Sequence, residues 1–343
     1  MATTLRHLAE YLPLRALSTA LHAFPPSTNL HTAGIVADLF ALLGPHRVAR
    51  AVDNIRASFP QWSDERVQQV ARASIRHMFQ VFMVDSFIMP RSLTPTSWPQ
   101  AIEVGEIGPG LELLLSDQAA IFLTGHFGNW ELLGFTLATI GFPLHAIARP
   151  LDNPLLNRWL LGVREARGMR VITKWGATPQ MLKLLEGGGR VAFIADQNAG
   201  DDGLFVPFFG RMASCYKSIG LLALRYRVPV VAGAAIRVGQ AFRYRVEATD
   251  VIRPAEWLDH PDPLFYITAR YARAIETMVR KAPEQYLWIH RRWKSRPRYE
   301  REGRPLPDTL RAKLESLPWM TPAEIETIAG HSPSSRTAVS TSL

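Results

Sequence analysis

The sequence predicts an α/β fold, a mostly parallel central sheet flanked by helices and preceded by an N-terminal helical segment. Three observations predict it. Before residue 100, apolar residues recur at helical spacing, as in Val67, Val70, Ile75, Met78, Phe79, Phe82 and Met83. From Ile102 the period changes to short apolar runs alternating with helical stretches, the pattern of a sheet covered on both faces. An apolar content of 47% in 343 residues is also enough to bury a substantial core.

Each element follows from local chemistry. Asn54 to Pro60 closes one helix, and Ser63-Asp64-Glu65, a hydroxyl cap followed by acids, opens the next. Strands are expected at 101–104 and 119–123 around a helix at 110–116. Then come a strand at 144–147, a helix at 155–167, a strand at 171–172, a helix at 177–186, a strand at 191–195, a helix at 218–225 and a strand at 228–236. Gly187, Gly188 and Gly189 end a helix rather than open one, and no G-x4-G-K-[ST] string is present, so they read as a helix C-cap and not a phosphate loop. Residues 242–246 alternate Phe, Arg, Tyr, Arg, Val, which fits a strand with one wet face, antiparallel at the sheet edge. Asp262-Pro263 caps a long helix, 264–281, that Pro283 ends. The chain thus divides into a helical, membrane-surface region (1–100), an α/β domain (101–305), a helical extension (306–330) and a tail (331–343) whose composition, HSPSSRTAVSTSL, predicts disorder.

Composition restricts the partners. The net charge of +9 and a pI near 10.0 favour anionic ones: nucleic acid, a phospholipid surface, phosphorylated ligands or an acidic carrier protein. One cysteine, Cys215, excludes an internal disulfide framework. Arg6, His7, Glu10, Pro13 and Arg15 interrupt the N-terminus too often for a signal peptide, and 33–44 is too short, and carries Asp38, for a bilayer span. Membrane contact is then interfacial, with Leu12, Leu14, Leu17, Leu21 and Phe24 beside Arg6 and Arg15 as an amphipathic element, or else as a helix packed on the protein's own core. His-Glu-x-x-His and dense His/Cys clusters are missing from the sequence, so no metal site is expected.

The chemistry concentrates at 119–134, AAIFLTGHFGNWELLG. A short apolar run stops at Thr124-Gly125 before a helical segment, and a histidine and a carboxylate, His126 and Glu131, lie between. Five positions apart on an ideal helix they would stand about 140° apart, so they meet only across a turn, which Gly125 and Gly128 permit. A carboxylate bonded to one imidazole nitrogen fixes the tautomer and frees the other to take a hydroxyl proton. No Gly-x-Ser-x-Gly elbow offers a protein nucleophile. Spacing alone leaves open a plain core histidine with Glu131 on an exposed helix face.

The string His126-Phe-Gly-Asn-Trp-Glu131 resembles the His-x4-Asp/Glu motif of glycerolipid and lipid A acyltransferases, specifically the late (lauroyl and myristoyl) lipid A branch. Ala148-Arg149-Pro150 with Asn153-Pro154, Ala195-Asp196-Gln197, Val206-Pro-Phe-Phe-Gly210 and Pro283-Glu-Gln-Tyr-Leu-Trp-Ile-His-Arg-Arg-Trp-Lys294 resemble further segments of that family, so the similarity spans roughly Asn54 to Pro297. It implies a glycerolipid-acyltransferase-like fold and catalytic roles for His126, Glu131 and Asp196, with the choice of acid that holds the imidazole left open. It also implies substrate contacts from Asn129, Arg149, Gln197, Phe208, Phe209, Gly210, Glu284, His290, Arg291 and Arg292. No cofactor is implied. The donor would be an acyl carrier protein or coenzyme A thioester, the acceptor an anionic glycolipid, and the location the cytoplasmic face of the inner membrane. Positive charge fits coenzyme A and phosphatidylinositol mannosides equally, a lysophospholipid acceptor is a further alternative, and Arg211-Met-Ala-Ser-Cys-Tyr216 departs from the Pro-Ala-Ser-Thr-like string expected after the Phe-Phe-Gly turn. Two other classes compete: a lipid-binding homologue without turnover, and nucleic-acid binding through His290 to Arg298, a basic run interleaved with Trp293 but matching no recognisable nucleic-acid module.

Overall fold

The computed structural model describes residues 2–330 apart from Lys174; the predicted tail at 331–343 lies outside the described residues. Seven strands form one sheet: β1 (Ile102–Val104), β2 (Ala120–Thr124), β3 (His145–Ala148), β4 (Arg170–Thr173), β5 (Arg190–Ile194), β8 (Val230–Arg237) and β9 (Tyr244–Ile252). The remaining pair, β6 (Leu204–Phe208) and β7 (Arg211–Cys215), makes a separate hairpin. The spatial order is β1-β9-β8-β2-β5-β3-β4, with β8, β2, β5, β3 and β4 mutually parallel. β9 runs antiparallel to β8, as its alternation predicts, but it does not form the edge: β1 pairs outside it in parallel, with Ile102 opposite Tyr244. Those few residues cover the start of the outer edge of β9, Tyr244 to Val246.

The central strands are apolar throughout because both faces are covered. β2 is buried at every position, as a parallel strand between two helical layers must be. One layer holds the helices Gly108–Leu115, Trp130–Thr139 and Pro154–Glu165; the principal core lies on the other side, where the helix Pro263–Lys281 packs Phe265, Tyr271, Ile275 and Met278 inward. Asp262 caps that helix by accepting from the Phe265 amide at 2.9 Å. The triple glycine ends the helix Ala177–Glu186, with the Gly189 amide donating to the Leu184 carbonyl at 2.7 Å.

The β6–β7 hairpin has no counterpart in the strand pattern expected from sequence. Its loop is two residues, Phe209 (φ 53°) and Gly210 (φ 65°), and a two-residue hairpin turn of this hand needs positive φ at both. Phe209 tolerates it because its amide donates to Glu276 at 2.6 Å and its ring is buried against Phe59, Phe208 and Trp288.

The N-terminal segment is helical, as predicted: Ala2–Ala23, Pro26–Leu43, Pro45–Ser58 and Asp64–Gln80, the last capped by Ser63 accepting from the Arg66 amide. It continues through one π-helical turn, Val81–Asp85. Leu17 and Leu21 turn inward, whereas Leu5, Leu12 and Phe24 stay exposed, joined by Ile35, Leu39, Leu42 and Leu43 on the next helix.

Candidate active site

Register brings the two central side chains together. β2 and β5 pair in parallel with Ala120 opposite Arg190 and Thr124 opposite Ile194, and the Ala195 amide continues the ladder to the Thr124 carbonyl at 2.8 Å. Two residues beyond the last pair, the same offset sets Asp196 beside His126 at the carboxyl ends of the strands, where open α/β sheets bind ligands.

The turn that holds His126 is over-determined. Its amide donates to Asp196 Oδ2 at 2.9 Å and its carbonyl accepts from the Leu287 amide at 3.0 Å. The Gly128 amide donates to the Gln285 carbonyl at 3.0 Å, and the Gly128 carbonyl accepts from His77 Nε2 at 2.9 Å. Gly128 has φ +57°, and a Cβ there would fall 2.2 Å from the Ala235 carbonyl oxygen, so only glycine fits. Gly125 is nearly as confined: a Cβ would stand 2.9 Å from Ile275 and 3.3 Å from the Asp196 carboxyl.

His126 Nδ1 lies 2.7 Å from Asp196 Oδ1. Burial pushes the Asp196 pKa up, but the charge of His126 and two hydrogen bonds from that residue outweigh it and hold Asp196 at about 2. An ionised carboxylate only accepts, so Nδ1 carries a proton, and in the neutral ring Nε2 presents the lone pair. Burial depresses the His126 pKa, while the Asp196 charge and hydrogen bond, with a smaller pull from Glu131, raise it; the net direction is upward. Gln197 Nε2 lies 3.5 Å from His126 Nε2, the Trp130 ring packs edge-on with centroids 5.0 Å apart, and the His290 ring is 6.0 Å away.

Glu131, expected as a partner of the imidazole, is engaged elsewhere. Arg164 clamps its carboxylate from Nε and Nη2 at 2.8 and 2.5 Å. The acid on Nδ1 is therefore Asp196, because parallel register delivers it to the ring, whereas the helix turns Glu131 toward Arg164. Both members of that ion pair, with Glu247, line a largely apolar cleft between the sheet and the helix Trp130–Thr139. The cleft encloses about 160 Å³, and Thr124, Trp130, Leu137 and Phe142 are among the residues that line it.

The other expected substrate contacts divide. Gln197 and His290 stand at the imidazole. Asn129, 1% exposed, is a structural cap: its Oδ1 accepts from the Leu132 amide at 2.9 Å and its Nδ2 donates to Asp85 at 3.1 Å. Phe208 and Phe209 are buried in the main core, and Gly210 turns the hairpin at its rim. Arg292, 2% exposed, donates to the Ser214 carbonyl at 2.5 Å and to Cys215 Sγ at 2.8 Å, so its charge is internal. Arg149 and Arg291 are exposed, the former 3.3 Å from Asp152, and Glu284 is half-buried in the short turn Pro283–Gln285.

Sequence reasoning missed the support behind the turn. Asp85, at the end of the π-helical turn, is fully buried and receives Arg237, Tyr244 and Asn129, while the Arg237 amide and carbonyl grip the Gln285 side chain at 2.9 and 3.0 Å. A buried aspartate inside an apolar helical stripe is the signal that could have pointed there, since such a charge needs partners. No group of three or more His, Cys, Asp or Glu side chains among the described residues is placed to hold a metal ion, and no helix among them is long and apolar enough to cross a membrane.

The sequence profile of a family described as bacterial lipid A biosynthesis acyltransferase matches residues 1–295. A lipid A biosynthesis acyltransferase of Haemophilus influenzae is 28% identical over 268 residues, 74% of this chain and 80% of its own. The lipid A biosynthesis palmitoleoyltransferase of Escherichia coli K12 is 24% identical over 263 residues (73% and 80%), and the myristoyltransferase of the same organism 25% identical over 264 residues (74% and 77%).

Proposed function

Because this chain belongs to the bacterial lipid A biosynthesis acyltransferase family, we propose that it moves a fatty acyl group from a thioester donor, on acyl carrier protein or coenzyme A, to a hydroxyl of an anionic glycolipid at a membrane surface. The observation that carries this reading is the His126–Asp196 pair, 2.7 Å apart, whose imidazole packs against Trp130, a residue that lines a largely apolar cleft.

Asp196 holds Nδ1–H, so Nε2 accepts the proton of the acceptor hydroxyl as its oxygen attacks the thioester carbonyl. The tetrahedral oxyanion then collapses, the C–S bond breaks, and the leaving thiolate takes the proton back from Nε2. No bond to the protein forms. Glu131 acts together with Arg164: the pair adds negative potential near the imidazole and presents a guanidinium to an anionic group or the developing oxyanion. Gln197 and His290 flank the acceptor, and the exposed Arg149 and Arg291 meet its anionic groups. Asn129, Phe208, Phe209 and Arg292 serve the reaction from within the core.

Exposed Leu5, Leu12, Ile35, Leu39, Leu42 and Leu43 form the surface that meets the lipid, in keeping with interfacial rather than spanning attachment. The basic balance of the chain agrees with an acidic carrier and an anionic acceptor.

The test is mass spectrometry of membrane lipids from cells with and without the protein. An added acyl mass on an anionic glycolipid, lost with His126→Ala, is expected. An unchanged lipid profile, or an acyl mass retained in that variant, would remove the proposal.

A further inference from the structure

The edge of the sheet that bears the imidazole continues past it. β2, β5, β3 and β4 are parallel neighbours in that order, so the residues that follow them stand in a row: His126, Asp196, Arg149 and, in the turn after β4, Trp175. Register fixes the far pair. Ala148 lies opposite Thr173, so Arg149 leaves β3 one residue past the last paired position and Trp175 leaves β4 two residues past it.

All nine tryptophans lie among the described residues; eight are buried or half-buried, and Trp175 alone is exposed, at 69%. An indole left in water forgoes the apolar burial that the fold gives the other eight. The turn holds it out: the next residue, Gly176, takes a left-handed φ of 75° and opens the helix Ala177–Glu186. Arg149, its neighbour along the edge, is also exposed and is paired at 3.3 Å with an equally exposed Asp152, a surface contact that yields readily to a better anion.

Neighbouring strands are about 4.8 Å apart, which puts Arg149 about 10 Å and Trp175 about 14 Å along the edge from His126. A guanidinium fork takes an anionic oxygen group, and the electron-rich face of an indole takes the C–H face of a sugar ring. We infer that Trp175 is the stacking platform for a sugar ring of the acceptor, with Arg149 holding an anionic group of the same molecule, so that the pair selects glycolipids over phospholipids that lack a ring. The inference rests on the acyl-transfer proposal above. It gives Trp175 a task other than bilayer contact because this tryptophan stands on the edge that bears the imidazole, whereas the exposed Leu39, Leu42 and Leu43 belong to the separate helix Pro26–Leu43.

The test compares two hydroxyl acceptors with purified full-length protein: a phosphorylated glucosamine lipid, and lysophosphatidylglycerol, which has the hydroxyl and the charge but no ring. Trp175→Ala should raise KM for the glucosamine lipid by roughly three- to tenfold, the worth of one aromatic stacking contact, with kcat close to wild type. Trp175→Tyr, which keeps a ring, should recover most of that loss, and whatever rate lysophosphatidylglycerol supports should be unchanged. Equilibrium binding of the glucosamine lipid in detergent micelles, with no thioester present, should weaken by the same factor in Trp175→Ala.

An unchanged KM, or losses of equal size with both acceptors, would overturn the inference while leaving acyl transfer intact; the second result, with weaker co-sedimentation on phosphatidylglycerol vesicles, would make Trp175 a bilayer anchor instead. A protein that binds the glucosamine lipid through Trp175 but transfers no acyl group would sink the acyl-transfer proposal alone. One that neither binds nor transfers would sink both.

Discussion

Replacing Asp196 by asparagine removes one charge and almost no volume, yet the geometry predicts a large loss. The carboxylate accepts two hydrogen bonds from one residue, the His126 amide at 2.9 Å and Nδ1–H at 2.7 Å. Asparagine has a single carbonyl oxygen. If that oxygen keeps the backbone amide, the NH2 group faces Nδ1, which must then become an acceptor, and the proton moves to Nε2. The base is then protonated where it should take a proton. A wrong tautomer in a His–carboxylate pair costs about 10⁴-fold in kcat, roughly 5 kcal/mol at 1.36 kcal/mol per tenfold. The pH profile adds a second signature. A general base works as the neutral ring, so activity falls as pH drops through the His126 pKa, which Asp196 raises. Without that charge the acidic limb should move to lower pH. The assay is the initial rate of acyl transfer to a hydroxyl lipid across the acid range, with circular dichroism to verify folding. A folded Asp196→Asn protein with kcat within a few-fold of wild type and an unmoved limb would refute the reasoning.

Gly128→Ala should destabilise the protein, since it adds about 1–2 kcal/mol for the left-handed backbone to a clash with the Ala235 carbonyl that only movement of β8 can relieve; a thermal melt equal to wild type would contradict this. Burial and the Arg237 charge lower the His77 pKa to about 3, below its ordinary value near 6.5, so the unfolded chain binds a proton that the folded chain refuses as pH falls. Stability should decline by up to about 1.4 kcal/mol per pH unit between these values, and denaturant titrations of His77→Gln should lack that part of the decline. The double change Leu39→Glu with Leu42→Glu, at positions 53% and 77% exposed, should weaken co-sedimentation with anionic phospholipid vesicles without altering the thermal melt. Equal binding would remove this face from the membrane contact.

The sheet and its flanking helices were legible because their signals are local. Continuous apolar runs mark β2 and β5, Asp262-Pro263 starts the long helix, and three glycines stop another. β6 and β7 left no such trace, since Pro207 and the positive-φ Phe209 read as a loop; only tertiary packing around Phe209 and the Glu276 acceptor makes them a hairpin. The place of β9 was obscured for a similar reason: its alternation gives its direction, but nothing local foretells that β1 pairs beyond it.

At the site, the candidate base and both acids were visible as residue types near strand ends. The pairing was not, because it depends on which strands are neighbours and in what register. Asp196 reaches Nδ1 through the β2–β5 offset, and Arg164, far along the chain, holds Glu131. A single arginine code also hides opposite situations: Arg292 spends its donors inside the core, while Arg291 beside it faces solvent. Asp85 and Arg237, which brace the turn from behind, are separated by 152 positions and meet only in the fold.

The most direct test of the central claim is the rate at which purified protein with His126→Ala transfers an acyl group from a thioester to a hydroxyl lipid, compared with wild type. Loss of the positioned base predicts a fall of roughly 10²–10⁴-fold in a protein that still folds. A rate close to wild type would mean that another group activates the hydroxyl, and the mechanism built on the imidazole would be contradicted.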